Sequence, residues 1–550
     1  MNQKKWIYLP RQSEDIVEQL LINRKIEKND QDDFLNPDFS IGLHDPYLLQ
    51  DMEKAVKRIG KAIDNQEIVG IFGDYDADGI PASAVLMEVL NRHGLETLVY
   101  IPSRSEGYGM NRKGIDELKS QGVTLLITVD LGIREIDNTV YAQSLGLDVI
   151  ITDHHEPAEI IPDAVAVVNP KRKNSHYPFR ELSGGGVVFK LAQALSIRFN
   201  KISVNDLKWL LDLVAITTIC DVVPLINENR IFAKYGLIVL AKTKRLGLKK
   251  LYEIAQIDPQ KINTYTVGFQ IGPRLNAPGR LNQKRESFDL IVAKNVDQAT
   301  KMAIELDSVN QQRQSDLEKI LKEARKRVIK EKQNKNKIIF VYDKGWPSGL
   351  IGLVAGKLVE EFARPAIVLE QNDKISKGSA RSIDNFNIVE VLEEAKDLLE
   401  SFGGHSKAAG LSLENKNLEL FYQKMVQIAD RKLTESDLVS KIIIDAQLDE
   451  SELVLDLVEK IEALEPFGLG NPRPVFALKN VHPINVKTIG QLNNHLKFNL
   501  GSIDVIGFGL GEFKNMIIDQ DIDIAFTLEE NIWQNIRKLQ IKIIDLKVNM

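Results

Sequence analysis

Between residues 65 and 230 the chain alternates short apolar runs with longer segments that carry apolar residues at helical spacing. "IVGIF", "TLVYI", "TLLITV" and "LDVIIT" are β-branched runs that predict buried strands, while "ASAVLMEVLNRHG" and "GIDELKSQG" predict amphipathic helices. Strand–helix alternation of this kind predicts an α/β domain built on a largely parallel sheet. It is expected over residues 51–295, preceded by a polar, helix-patterned N-terminal segment, residues 1–50, with turn signals "NPDFS" and "HDPYL". Residues 296–336 lack proline and glycine and predict a long linker helix. A second α/β unit is expected over 337–435, starting at "KIIFVYD". From 440 to 550 the short runs "KIIIDAQL", "IDVIGFGL", "DIDIAFTL" and "KLQIKIIDLK" predict a small β-barrel.

Composition narrows the class. A hydrophobic share of 43% with 27% charged residues is that of a globular protein, and no apolar run approaches the ~20 residues of a membrane span. The start "MNQKKWIYLPRQSED" has no apolar h-region, so no secretory leader is expected. The single cysteine, Cys220, excludes an internal disulfide framework and a cysteine-based zinc or iron–sulfur site, and fits a reducing cytoplasm. Net charge is −6, so any nucleic-acid binding is expected in a local groove rather than over a basic surface. The basic end of the linker helix, "KEARKRVIKEKQNKNK", reads as a solvated helix face rather than a phosphate-contacting one.

The candidate chemistry lies at the strand ends. "IVGIFGDYDADG" places Asp74, Asp76 and Asp78 at alternate positions before a glycine. A calcium loop of EF-hand type would need a glutamate at its twelfth position, where Val85 stands, and a helix ahead of the loop, where a strand is expected. "TLLITVD" ends at Asp130, and "DVIITDHH" ends at Asp153, His154 and His155. In a parallel sheet the C-terminal strand ends share one edge, where ligands bind. Two like charges ~4 Å apart at an effective dielectric of ~20 repel by about 4 kcal/mol, so several carboxylates gathered there require cations. Carboxylates with imidazole fit Mn²⁺, Mg²⁺ or Zn²⁺, and the lack of thiolates favours the harder metals. "LLDLVAITTICDVVPL" delivers a further carboxylate, Asp221.

The segments "GDYDADG", "ITVDLG" and "TDHHEP" resemble successive motifs of the DHH phosphoesterase superfamily. The resemblance to its RecJ single-strand exonuclease branch covers nearly the whole chain. It continues through "IPSRSEGYGMN", "ELSGGGVVFKL", "TICDVVPLINENR", "IGPRLNAPGRLN" and "LDSVNQQRQ". "WPSGLIGLVAGKL", "GSARSIDNF" and "GGHSKAAGLSL" resemble the DHH-associated domain, and "LEPFGLGNPRPVF" with "NHLKFNL" the oligonucleotide-binding (OB) fold. Pro81, Leu131, Cys220, Pro347 and a short 104–107 segment depart from the family pattern, and none removes a ligand.

The resemblance implies two divalent cations, Mn²⁺ or Mg²⁺, held by Asp76, Asp78, Asp130, His154 and Asp221, with Asp130 bridging them. Asp74 and Asp153 would orient those ligands. His155, Asn276 and Arg280 would hold the scissile phosphate. Arg104, Ser379 and Arg381 would hold a terminal 5′-phosphate, and His405, Arg313 and Gln314 would contact the strand. The implied activity is 5′ to 3′ hydrolysis of single-stranded DNA to 5′-mononucleotides, in DNA repair and recombination. The implied partners of the monomer are a single-stranded-DNA-binding protein and a RecQ-type helicase. Phe498, Phe508 and Trp533 are candidate stacking aromatics of the barrel, though each reads more readily as core. The rival readings are a phosphodiesterase for oligoribonucleotides or cyclic dinucleotides, and a non-catalytic single-strand-binding scaffold. A tiny substrate needs no barrel, and a dead scaffold would be expected to lose carboxylates.

Overall fold

The computed structural model describes residues 4–107, 109–280, 285–533 and 536–549. The chain divides into two compact units: Tyr8–Asp307 with Ile444–Met550, and Met1–Ile7 with Ser308–Ile443.

The first unit is organised around a five-stranded, all-parallel sheet in the order Glu96–Tyr100, Ile68–Gly73, Val123–Val129, Asp148–Thr152, Ala166–Val168. Successive side chains point to opposite faces of a strand. Val69, Ile71, Leu125, Ile127, Val129 and Ile150 pack into one core with the helices Met52–Asn65, Gly79–Arg92 and Gly184–Phe199. Phe72, Val123, Leu126, Val149 and Ile151 pack into another with Arg112–Ser120 and Ile136–Ser144. Burial on both faces explains why the strands read as continuous apolar runs rather than alternating ones.

The strands end in register. Gly73 lies beside Val129, Val129 beside Thr152, and Thr152 beside Val168. The ladder runs one residue further, because Asp74 N–H donates to Val129 O, Asp130 N–H to Thr152 O, and Asp153 N–H to Val168 O. Three acidic residues from three strands are thereby held in one row along the sheet edge.

The same unit contains a seven-stranded mixed sheet, in the order Ala446–Gln447, Phe476–Val481, Ile522–Trp533, Ile536–Val548, Ile503–Gly507, His495–Leu500, Ile484–Ile489. Leu457, Val458 and Ile461 of the helix Leu455–Glu462 pack into its core, and Phe498 is fully buried there, so it is no stacking surface. Phe508 is exposed, edge-on to His495 and near Lys542. The side chain of Trp533 lies outside the described residues.

The first 50 residues divide their packing between two cores. They open with the strand Lys5–Tyr8, paired with Lys441–Ile444. Ile16, Leu20, Leu21 and Phe34 join the barrel core, whereas Phe39 and Leu49 join the parallel-sheet core. The periodicity of the helix Ile16–Asn23 was visible in the sequence, but the surface that covers its apolar face comes from residues over 400 positions away. Arg230 secures the junction, donating to the carbonyls of Phe34, Leu464 and Glu465 at 2.6, 2.9 and 2.9 Å.

In the second unit a five-stranded mixed sheet runs in the order Ser401–His405, Ala408–Glu414, Ile375–Arg381, Ala366–Gln371, Ile339–Asp343. The long helix spans Val296–Lys330, shorter than the expected 296–336. Lys332 adopts a left-handed conformation, φ 57°, and a single turn at Gln333–Lys335 follows. Two of its terminal bases serve packing: Arg325 pairs with Glu361, and Arg327 bonds Tyr342 O and Asp343.

Candidate active site

Asp74, Asp76 and Asp78 occupy the turn between the strand Ile68–Gly73 and the helix Gly79–Arg92. Asp76 Oδ1 accepts from the N–H groups of Asp78 and Gly79, which folds the turn on itself. Both oxygens of Asp78 are held by a distant helix N-terminus. Gly184 N–H donates to Oδ2 at 2.7 Å and Gly185 N–H to Oδ1 at 2.8 Å. Helix N-terminal amides carry partial positive charge, so they favour this buried carboxylate. Ser183 caps the helix, its Oγ accepting from Gly186 N–H. Gly184 also lies against Asp130, where a Cβ would stand 2.6 Å from the Asp130 carboxylate. Asp130 has φ +63°, a conformation that costs a non-glycine residue on the order of 1 kcal/mol.

His154 is the centre of the arrangement. Its Nε2 stands 3.1 Å from Asp130 Oδ1, 3.5 Å from Asp221 Oδ2 and 3.8 Å from Asp78 Oδ2. Among the described residues its Nε2 is buried without a hydrogen-bond partner, and so is Asp74 Oδ1. Asp78, His154 and Asp221 each offer one atom within 4.8 Å of the others, as do Asp74, Asp76 and Asp130, and Asp130, His154 and His155. Asp130 and His154 each belong to two of these sets. Asp221 reaches the cluster as the C-cap of the buried helix Leu211–Cys220.

The electrostatics describe a site short of positive charge. Burial, then the charges of Asp78 and Asp76, hold the Asp130 carboxyl well above its ordinary range. Burial and the charge of Asp76 do the same for Asp74, and push Asp78 up to about 7. Burial, with Asp78 and Asp76, lifts Asp221 to about 9. Burial, then neighbouring His155, pushes His154 down to about 3, which keeps it a neutral imidazole fit to bind a metal. Convergent oxygens, a neutral buried imidazole and mutually raised carboxyls fit divalent cations, because a cation is what would return those carboxylates to their charged form.

Asp153 takes a different part. Its Oδ2 accepts from Ile133 N–H, and its Oδ1 from the N–H groups of His154 and His155 and from His155 Nδ1 at 2.8 Å. Burial alone would raise the Asp153 carboxyl, but the hydrogen bonds and charge of His155 together with the charge of His154 outweigh it, and the carboxyl is lowered. Burial would lower His155, yet Asp153 raises it to about 9, so this imidazole is a cation at neutral pH.

Asn276, on the helix Gly272–Arg280, accepts from Ala77 N–H at 2.8 Å and so braces the acidic turn. Arg280 ends that helix, and both Arg104 and Arg280 lie close enough to Tyr75 to oppose, without cancelling, the rise that burial and Asp74 impose on its hydroxyl. The Arg104 guanidinium sits 5.7 Å from the Tyr75 ring centroid.

In the other unit Arg381 Nη1 donates to Ser379 Oγ at 3.0 Å and to Ala380 O at 2.9 Å. Gly352 lets a helix approach this pair, since a Cβ there would stand 3.0 Å from Ser379 Oγ and 3.1 Å from Arg381 Nη2. His405 is exposed at the end of the strand Ser401–His405. Arg313 is buried against Asn310, whereas its neighbour Gln314 is exposed, so only Gln314 presents an open face. Sequence reasoning gave Gly184, Gly185 and Gly352 no roles of their own. The run "SGGG" ahead of an apolar helix was the available signal for the first two.

Residues 68–218 match the DHH family N-terminal domain, 335–434 the DHHA1 domain, and 444–545 the RecJ OB domain. The chain is 33% identical to the single-stranded-DNA-specific exonuclease RecJ of Haemophilus influenzae, over 90% of this chain and 91% of that protein. The chain belongs to the RecJ family. The Bacillus subtilis RecJ exonuclease is 40% identical over 92% of this chain, which spans 64% of that protein's length. A crystal structure of RecJ from Thermus thermophilus in complex with Mn²⁺ superimposes with a TM-score of 0.85 at 26% identity, over 99% of this chain and 79% of that one. The fold class is thus that of the family: a DHH parallel-sheet domain, a DHHA1 domain and an OB-type domain.

Proposed function

We infer that the chain is a divalent-cation-dependent exonuclease that hydrolyses single-stranded DNA from the 5′ end and releases 5′-mononucleotides. The observation that carries this reading is the convergence of Asp78, Asp130 and Asp221 on His154 Nε2, in a chain of the RecJ family. Asp76, Asp78, Asp130, His154 and Asp221 would hold two ions, Mn²⁺ or Mg²⁺, with Asp130 shared. Asp74 joins Asp76 and Asp130 closely enough to act as a ligand as well as an orienting group. When bound, the ions supply water activation and neutralise the scissile phosphate. The Gly184 and Gly185 amides fix the Asp78 carboxylate, and Asp153 turns a protonated His155 toward the same edge, where it can hold a phosphate oxygen. Arg280 would meet charge developing on that phosphate, while Asn276 keeps the acidic turn in shape.

For the strand's end, the Ser379 hydroxyl and Arg381 guanidinium form a donor pair suited to a terminal phosphate, and Arg104 is a second candidate beside Tyr75. His405, Gln314 and Phe508 are candidate contacts along the strand. Arg313 would act by holding Asn310. A cytoplasmic monomer working in DNA repair and recombination beside a single-stranded-DNA-binding protein and a RecQ-type helicase agrees with this activity.

Product analysis tests the reading. Single-stranded DNA, duplex DNA and RNA, each labelled at the 3′ end, are incubated with Mn²⁺, Mg²⁺ or chelator. The expected result is a ladder from single-stranded DNA alone that keeps the 3′ label and needs metal. Release of the 3′ label first, or turnover in chelator, would refute it.

A further inference from the structure

Residues 264 to 280 form one helical run: an α turn at Thr264–Thr266, a π turn at Val267–Ile271, and the helix Gly272–Arg280. Its far end carries Asn276, which braces the acidic turn, and Arg280. Its near end displays two aromatic rings. Tyr265 and Phe269 are 61% and 66% exposed, yet they lie parallel to one another, with centroids 4.8 Å apart and planes 22° apart. Single exposed apolar residues are ordinary. Here the two rings, four residues apart on one helical face, together form a continuous exposed aromatic surface.

The support is tied to the reaction centre. Cys220, which precedes Asp221, lies 3.8 Å from Val267 O through its Sγ. Gly272 presses on the same sulfur, where a Cβ would stand 2.4 Å away. The π turn that widens this stretch therefore sits against the last turn of the helix that delivers Asp221. Insertions of this kind concentrate at functional sites. Its neighbour Val222 is itself 62% exposed, so the surface beside Asp221 is open.

We propose that Tyr265 and Phe269 form a stacking platform for the bases of the single strand next to the linkage being cut, a binding subsite of the exonuclease. The inference rests on the single-strand reading above. Unpaired bases present π faces of any sequence, so stacked aromatics would grip a polymer without sequence preference. In a duplex those faces are already stacked and paired, so the platform favours single strands. The pair would hold the strand in line while the reacting phosphate meets Arg280 on the same helical run.

Fluorescence anisotropy of the full chain with 5′-phosphorylated oligodeoxynucleotides, in chelator to prevent cleavage, tests this. A single abasic residue is moved one position at a time along the strand. Base–aromatic stacking predicts that the wild type loses about five- to a hundredfold in affinity when the abasic residue occupies one or two contiguous positions, and little elsewhere. Tyr265→Ala with Phe269→Ala should weaken the intact strand by a similar factor and flatten the abasic profile. Tyr265→Phe, which keeps the π face, should restore both. A flat profile in the wild type overturns the platform and needs no variant to read. Unchanged DNA affinity in the double variant also overturns it, including where sedimentation shows that the pair instead joins two copies of the chain. Failure of the wild type to degrade single strands with Mn²⁺ would count against the exonuclease reading alone, since the abasic scan reads binding.

Discussion

His154 Nε2 stands 3.1 Å from Asp130 Oδ1, and among the described residues His154 makes no hydrogen bond through that nitrogen. A neutral imidazole facing a carboxylate oxygen, with two further carboxylates within 3.8 Å, is a set of converging electron pairs. Such a set is stable when a cation lies among them, and its energetics govern what substitutions do.

Asp130→Asn is expected to abolish turnover and leave the fold intact. Asparagine tolerates the left-handed backbone at φ +63° as well as aspartate does, so only charge is lost. Activity within tenfold of wild type at low Mn²⁺ would refute a shared ligand at this position.

Added Mn²⁺ should raise the melting temperature, because the ion binds the folded arrangement only. Saturation at a hundred times the dissociation constant stabilises by about 2.7 kcal/mol. Differential scanning fluorimetry with Mn²⁺ and with chelator reads the shift, which should shrink in Asp130→Asn. No shift at millimolar Mn²⁺ would count against the site.

Gly184→Ala should impair the site without replacing any metal ligand. The new methyl would stand 2.6 Å from the Asp130 carboxylate, and the amide that holds Asp78 would move with it. Overpacking of this sort costs about 1–3 kcal/mol. Weaker Mn²⁺ binding by calorimetry and at least a tenfold fall in turnover are expected. Wild-type values for both would show that the close approach is unimportant.

Arg381→Ala should lower kcat/KM on 5′-phosphorylated strands by roughly ten- to a hundredfold, the value of one hydrogen bond to a charged group. Strands with a 5′-hydroxyl should be affected far less. Equal impairment on both ends would assign Arg381 another task.

Arg230→Met should destabilise the Tyr8–Asp307 and Ile444–Met550 unit rather than the chemistry. It would leave the carbonyls of Phe34 and Glu465 without this donor, while Leu464 O keeps its bond from Asn471 Nδ2. A loss of about 3–5 kcal/mol in urea unfolding is expected, with turnover per folded molecule retained. An unchanged midpoint would show that water or neighbouring groups replace the guanidinium.

Much of this protein was legible along the chain. Apolar runs ending in Asp74, Asp130 and Asp153 predicted a parallel sheet with acids at one edge, because strand length and burial are local properties of sequence. The motifs around them pointed to the family and its metal. What the tertiary structure decided was register and partnership. Extension of the ladder by one residue put the three acids in a row, and a glycine helix start over 100 residues away gripped Asp78. Arg313 shared the helix pattern of Gln314 yet turned inward to Asn310. The helical pattern of the first 50 residues did not show that the apolar face of Ile16–Asn23 packs into the barrel core. Periodicity tells a residue which face it occupies. It does not say what covers that face, because the covering surface is set by packing between segments far apart in the chain.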